Sequence, residues 1–330
     1  GIPIGFDFWY MGTRYTTVSA STNGWLTLGA NITDPVFANS LASGGAPRPV
    51  IAPLWDDLDI QNATNVSYLT SGSAPNRVFT IQYLNAQWDY QATGNTISFQ
   101  VKMYEGTGRV EFTYRQETGA LNSASASIGI TATATGSGNY LSVRSTGTSV
   151  TSTSENNINS KPVTGNRYLF TPPVPAAPAS LIFSAIDNTS MTLNWSDLSS
   201  NERGFLIYRS TDGTNYSFVT QTAAGVTTSV QSGLSAATLY YWKIYAVSEG
   251  GFSTSALSGS QTTACTPPAA PTVTSPVSYC QNATAIQLTA TGSSLLWGGL
   301  TGSAGGTTAL TTAVYVDNSS NNKKTKFTTT

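Results

Sequence analysis

Three aspartates crowd one short stretch, Asp56-Asp57-Leu58-Asp59. Calcium takes carboxylate and carbonyl oxygens, so Asp56, Asp57 and Asp59 are candidate ligands for that ion. The competing reading is a solvated turn in which one Asp bonds backbone amides. Aromatic rings form the second candidate group. Trp9, Trp25, Trp55, Trp88, Tyr10, Tyr83 and Tyr90 offer flat surfaces that can bury the C–H faces of sugars. Trp25 and Trp55 flank apolar strands and are expected inside. Trp88 and Tyr90 share one parity in a polar stretch (Gln87, Asp89, Gln91), which makes them the better platform for an extracellular glycan. Glu105, Glu111 and Glu117 contain the makings of a glycosidase carboxylate pair. Glu105 belongs to a hairpin turn, however. Glu111 alternates against Val110 and Phe112 and is expected to face solvent.

Histidine is absent. The commonest general base and zinc ligand are therefore missing, and no Ser-His-Asp triad can be assembled. Lys102, Lys161 and Lys243 carry no Ser-Lys motif. Cysteine occurs twice, at Cys265 and Cys280, too few for a zinc site. A disulfide is the natural alternative and implies an oxidising compartment. An enzyme is the least favoured class, and calcium is the only cofactor suggested.

These residues sit in a chain of 330, enough for two or three domains. Charged residues make up only 9%, against about a quarter in ordinary soluble proteins. Ser, Thr, Asn and Gly occupy the surface instead, a composition that favours strands over helices. Net charge is -1 and no basic stripe exists, which argues against nucleic acid. No apolar run is long enough to enter and cross a membrane. Gly1-Ile-Pro-Ile4 reads as the interior of a longer secreted protein.

The strands that must position the candidates are legible as short alternating runs. Val18 and Ala20, then Trp25, Leu26 and Leu28, flank Asn23-Gly24, a strong hairpin signal. Val50–Trp55, Val78–Tyr83, Ile97–Met103, Val110–Tyr114, Ser127–Ile130, Tyr140–Val143 and Arg167–Phe170 follow. Many short strands with frequent turns predict a β-sandwich over residues 1–170. Two proline phrases, 171–178 and 266–271, read as extended, semi-rigid spacers. They bracket a second block, 174–263, and open a third, 266–330. The expected fold is all-β, with tandem β-sandwich domains in an elongated array.

The first block resembles a nidogen-like β-sandwich of secreted Bacteroidota proteins. Ile4–Phe8, Ser21–Trp25, Ile51–Asp57, Asn76–Ile81, Ile97–Val101 and Lys161–Phe170 carry the likeness. The second block is similar to a fibronectin type III domain. Trp195 takes the family's core tryptophan position. Tyr240 takes the tyrosine-corner position, where its hydroxyl is expected to bond back to the preceding turn. The integrin-binding Arg-Gly-Asp tripeptide of some members is absent. Pro276–Asn282, Ile286–Ala290 and Leu295–Trp297 resemble an immunoglobulin-like module of the same secreted proteins. In that family the cysteine matching Cys280 usually pairs near the module's end, where this chain has none. Cys265–Cys280 is the intrachain bridge available, closing a loop worth about 3 kcal/mol; two free thiols and a bridge to another chain stay open.

The resemblance implies a non-catalytic section of a large cell-surface protein, in the company of gliding adhesins and surface fibres. It also implies type IX secretion, although the usual C-terminal sorting domain is not in this sequence. Two further readings compete. One is a carbohydrate-binding and spacer region of a secreted polysaccharide-degrading enzyme. The other is self-assembly, through a sheet edge left open by the truncated-looking start at Gly1.

Overall fold

The computed structural model describes residues 1–155 and 157–266, together with four two-residue strands beyond them. Apart from those strands, the expected immunoglobulin-like block, Cys280 included, lies outside the described residues. The fold is all-β; the sole helical element among the described residues is a single 3₁₀ turn, Ala63–Asn65. No helix there is long and apolar enough to cross a membrane.

The first sandwich begins with β1 (Ile2–Tyr10), β2 (Thr13–Ala20), β3 (Leu26–Leu28) and β4 (Val50–Trp55). It continues through β5 (Leu58–Asp59), β6 (Val66–Ser71), β7 (Val78–Trp88), β8 (Ile97–Tyr104) and β9 (Val110–Gln116). It ends with β10 (Ser127–Thr131), β11 (Tyr140–Val143), β12 (Val150–Thr151) and β13 (Arg167–Phe170). One sheet has the order β1-β2-β3-β4-β10-β11-β12. The other runs β13-β9-β8-β7-β5, with β6 also pairing β7. Alternation puts Ile81, Tyr83, Phe99, Val101, Phe112 and Tyr114 of the second sheet against Ile4, Val18, Leu26, Ile51 and Ile128 of the first. Two tyrosines fasten the sheets together. Tyr83 donates to Ser21 O at 2.7 Å and Tyr114 to Pro53 O at 2.6 Å. Pro53 lies within a central strand, which the missing N–H normally forbids. A bulge in β4, where Pro53 and Leu54 stand opposite Ile128 between the Ala52–Gly129 and Trp55–Ser127 pairs, relieves the ladder there.

A second, smaller core lies on the outer face of the first sheet. Residues 29–49 fold over Trp25, Val50, Ala52, Trp55 and Tyr140. Trp25 and Trp55 are buried as expected, and both indole N–H groups donate to Val36 O at 2.9 Å.

The second sandwich has β14 (Ala179–Ser184), β15 (Met191–Ser196), β16 (Gly204–Ser210), β17 (Ser217–Gln221), β18 (Thr228–Gln231), β19 (Leu239–Val247) and β20 (Leu257–Thr262). Sheets β14-β15-β18 and β17-β16-β19-β20 enclose Trp195, Phe205, Ile207, Trp242 and Ile244. The Tyr240 hydroxyl accepts from Ser235 N at 2.9 Å, which is the expected corner.

Candidate functional site

The acidic turn follows β4 because Trp55 and Leu58 are both drawn into the interior, leaving the residues between them to reverse the chain. Asp56 is buried and spends both oxygens on the protein. Oδ2 accepts from Trp88 Nε1 and from Ser125 N, each at 2.7 Å. Oδ1 accepts from Asp57 N at 3.0 Å and Ser125 Oγ at 3.3 Å. Asp59 accepts from the Gln61 amide. Partial burial pushes the Asp57 carboxyl upward, helped by the charges of Asp89, Asp56 and Asp59. Among the described residues no group of three or more acidic, histidine or cysteine side chains is arranged to hold a metal. Of the three expected calcium ligands Asp56, Asp57 and Asp59, Asp56 thus has both oxygens engaged by the protein. The bland alternative, an aspartate tying backbone amides, describes Asp56.

The sugar platform is corrected. Trp88 has 0% of its surface exposed, whereas Tyr90 has 61%. The reason is a bulge. Up to Tyr83 the odd-numbered residues of β7 face inward, but the pairing with β8 shifts between Tyr83 and Ala86. Asn85 takes a left-handed conformation there, with φ 55°. One extra residue inverts the parity, so Ala86 and Trp88 turn into the core. Trp88 serves as the donor that anchors Asp56, and Tyr90 stands alone with the Gln91 amide on its hydroxyl.

Glu111 also departs from expectation. It lies on the outer sheet face but is only 5% exposed. Tyr104 donates to it at 3.0 Å, and Lys102 and Arg167 each approach to 3.7 Å. Glu105 is bound by Arg77, whose Nε donates at 2.8 Å and whose N–H donates at 3.0 Å. Glu117 takes Arg115 at 2.6 Å and Ser98 at 2.5 Å. Each glutamate thus has structural partners of its own. A shallow depression of about 200 Å³ on this face is lined by Gln82, Ser98, Gln100, Thr113 and Arg115. Cys265 is exposed.

The most developed constellation is one that no sequence signal revealed. It joins the two sandwiches. Strands β1 and β2 are connected by the two-residue turn Met11-Gly12, with φ 50° and 75°, a turn that matches strand twist. This hairpin tip sets Trp9 into a socket on the second sandwich. Trp9 is buried with Leu206 and Val247, and Tyr208, Phe218, Tyr245 and Phe252 pack around them. Its ring meets Phe218 edge-on at 5.5 Å and Phe252 at 6.2 Å. The Arg14 guanidinium, held by Asp7 at 2.7 Å, lies over the Phe218 ring at 5.1 Å. Backbone bonds seal the rim. Met11 N–H donates to Glu249 O, and the Gln221 amide donates to Gly12 O at 2.9 Å. A hairpin from the other sheet joins in at Gly108. A Cβ there would stand 2.1 Å from Gly250 O, so only glycine permits the approach. The proline phrase was expected to separate the domains as a spacer. Instead the sandwiches touch directly, and Ser248 Oγ donates to Pro173 O within that phrase. Trp9 belonged to the aromatic set in the sequence. Its place in a Phe-Asp-Phe-Trp-Tyr run hid which rings face out.

The arrangement gives a fixed joint, structural ion pairs and sheet faces. Residues 1–172 match the family described as NIDO related, and residues 176–261 match the fibronectin type III domain. No curated protein matches the chain. Among solved structures, the fibronectin type III domain of human collagen XX is 25% identical, covering 27% of this chain and 91% of that one, with a TM-score of 0.25. A structure named FN3tt is 26% identical, covering 29% of this chain and 98% of that one, also with a TM-score of 0.25. A myokine structure is 22% identical over 27% of this chain and 98% of that one, again at 0.25. Domains of both matched kinds are typical of extracellular, non-catalytic modules. The chain belongs to the NIDO-related family and carries a fibronectin type III domain behind its family region.

Proposed function

We propose that this chain is a non-catalytic, structural and adhesive section of a larger cell-surface protein of the Bacteroidota, exported by the type IX secretion system. It acts as part of an adhesin stalk or surface fibre. Its partner is an extracellular glycan or a surface protein of a neighbouring cell or matrix. The observation that carries the reading is the Trp9 joint. A stalk must hold its domains in one orientation, and a buried aromatic plug between sandwiches does so where a flexible linker would not. The partners found for Asp56, Glu105, Glu111 and Glu117 support the same reading, since each is committed to holding strands and turns.

The test is made on producing cells. Antibody against residues 1–266 should label intact cells without permeabilisation. In-frame removal of the segment should lower attachment of cells to a surface several-fold while the rest of the protein is still exported. A chain protected inside the cell, or hydrolysis of glycan or peptide by the purified protein, would overturn the proposal.

A further inference from the structure

Every open sheet exposes edge strands, and unpaired backbone groups on an edge invite another strand. The described edges differ in how they are guarded. Strand β1 is broken by a bulge between Pro3 and Phe8 and carries the Asp7–Arg14 ion pair. Strands β5 and β12 have two residues each. Strand β13 has four and presents Arg167. Strand β14 is bulged between Ala179 and Ile182, where Ser180 has φ 59°. Strand β17 meets a register shift, and β18 has four residues. Strand β20 is polar, with Leu181 and Phe183 packed over Gly259.

Strand β6 has none of these guards. Its sequence, Val66-Ser-Tyr-Leu-Thr-Ser71, contains no charge, proline or glycine. Six consecutive residues pair with β7 in unbroken register, from Val66 opposite Tyr83 to Ser71 opposite Val78. Among the described residues a single strand, β7, pairs with it, and its other edge has no partner there. Large apolar side chains stand exposed on both of its faces. Tyr68 is 55% exposed on the core side, stacked beside Phe79, and Leu69 is 65% exposed on the outer side. Thr70 Oγ1 donates to Ile4 O at 2.7 Å, which fixes the strand from beneath.

We propose that β6 is a strand-pairing edge whose occupant is β6 of a second copy of this chain, antiparallel across a two-fold axis. A two-fold perpendicular to the sheet keeps inner faces together, so residues of like parity must oppose. Centring the pair on Leu69 sets that residue against its own counterpart on the outer side and Tyr68 against Thr70 across the seam. With no charge anywhere on the strand, this self-pairing incurs no like-charge repulsion. The open edge is thus at β6, not at the strand that begins beside Gly1. The pairing does not depend on what the array adheres to.

Sedimentation of the full chain over a wide concentration range tests it, alongside Leu69→Lys and Ser67→Lys. Leu69→Lys places a charge opposite its own copy, and Ser67→Lys sets one against Ser71 across the seam; both positions are exposed, so unchanged thermal unfolding confirms intact folding. The expected result is a concentration-dependent dimer for the parent chain, with association weakened at least ten-fold toward monomer in either variant. A parent chain that stays monomeric throughout overturns the proposal. So does a dimer that both lysine variants leave untouched. Adhesion lost while the dimer persists would bear on the function above and leave β6 pairing standing.

Discussion

The Trp9 ring of the first sandwich stands edge-on to Phe218 of the second, their centroids 5.5 Å apart and their planes at 64°. One side chain therefore belongs to two domains. Removing it opens a cavity at the joint while leaving both principal cores intact. Trp9→Ala should cost about 3–5 kcal/mol, the usual range for deleting a buried Trp. Calorimetry should change in form as well as position. The parent unfolds residues 1–263 in one coupled transition, and the variant resolves into two. Two separate transitions already present in the parent would show that the joint does not couple the domains.

Asp56 and Trp88 bind one buried turn to the end of β7. Asp56→Ala strands the Trp88 and Ser125 donors in the interior, at about 3 kcal/mol for charge-assisted bonds lost together. Asp56→Asn should lose less, because its amide oxygen still accepts. Since both Asp56 oxygens are occupied, calcium or a chelator should leave the melting temperature of the parent within error. A calcium-dependent rise of several degrees that vanishes in Asp57→Asn would restore the metal reading.

Glu105 and Arg77 give stability an acid limit. Burial by itself raises the Glu105 carboxyl. The Arg77 side-chain bond, backbone bond and charge together outweigh it and hold the pKa below the ordinary 4.5. A carboxyl more acidic folded than unfolded stabilises fully above its unfolded pKa. That contribution fades as pH falls through the folded value. Denaturation midpoints of the parent should drop more steeply below pH 4.5 than those of Glu105→Gln. Parallel curves would mean the pair is screened into insignificance. Asp57 has the opposite sign. Its folded pKa is raised, so its charge costs stability as pH rises through that value, and Asp57→Asn should be slightly more stable at neutral pH.

Gly24 combines two constraints. Its φ is 74°, and a Cβ would stand 2.0 Å from Leu54 O. Gly24→Ala should therefore cost more than the roughly 1–3 kcal/mol of backbone strain alone. Circular dichroism melting of the variant measures it. A loss under 1 kcal/mol would show that the turn relaxes freely.

Gly24 also marks how much the chain discloses in advance. Asn23-Gly24 announces a hairpin because a tight turn needs positive φ, and the β2–β3 hairpin forms there. The long alternating runs, the Trp195 core position and the Tyr240 corner are readable for the same reason, since local periodicity and turn chemistry decide them. Trp88 was misread because a single bulge residue, Asn85, inverts the parity that the pattern relies upon. Glu111 was misread because alternation gives the face of a residue but not its roof. Tyr104, Lys102 and Arg167 arrive from two other strands. The joint was hidden altogether. Its socket draws on residues near 9, 206, 218, 247 and 252, and no window of sequence contains them together.

The Trp9 plug also gives the molecule an optical reporter. Trp25, Trp55, Trp88 and Trp242 are sealed within single-domain cores, so their indoles change surroundings only when a sandwich melts. Trp9 alone among these rings would meet water on undocking with both sandwiches still folded. A red shift of emission ahead of any loss of strand signal would time the parting of the domains, with no dye attached.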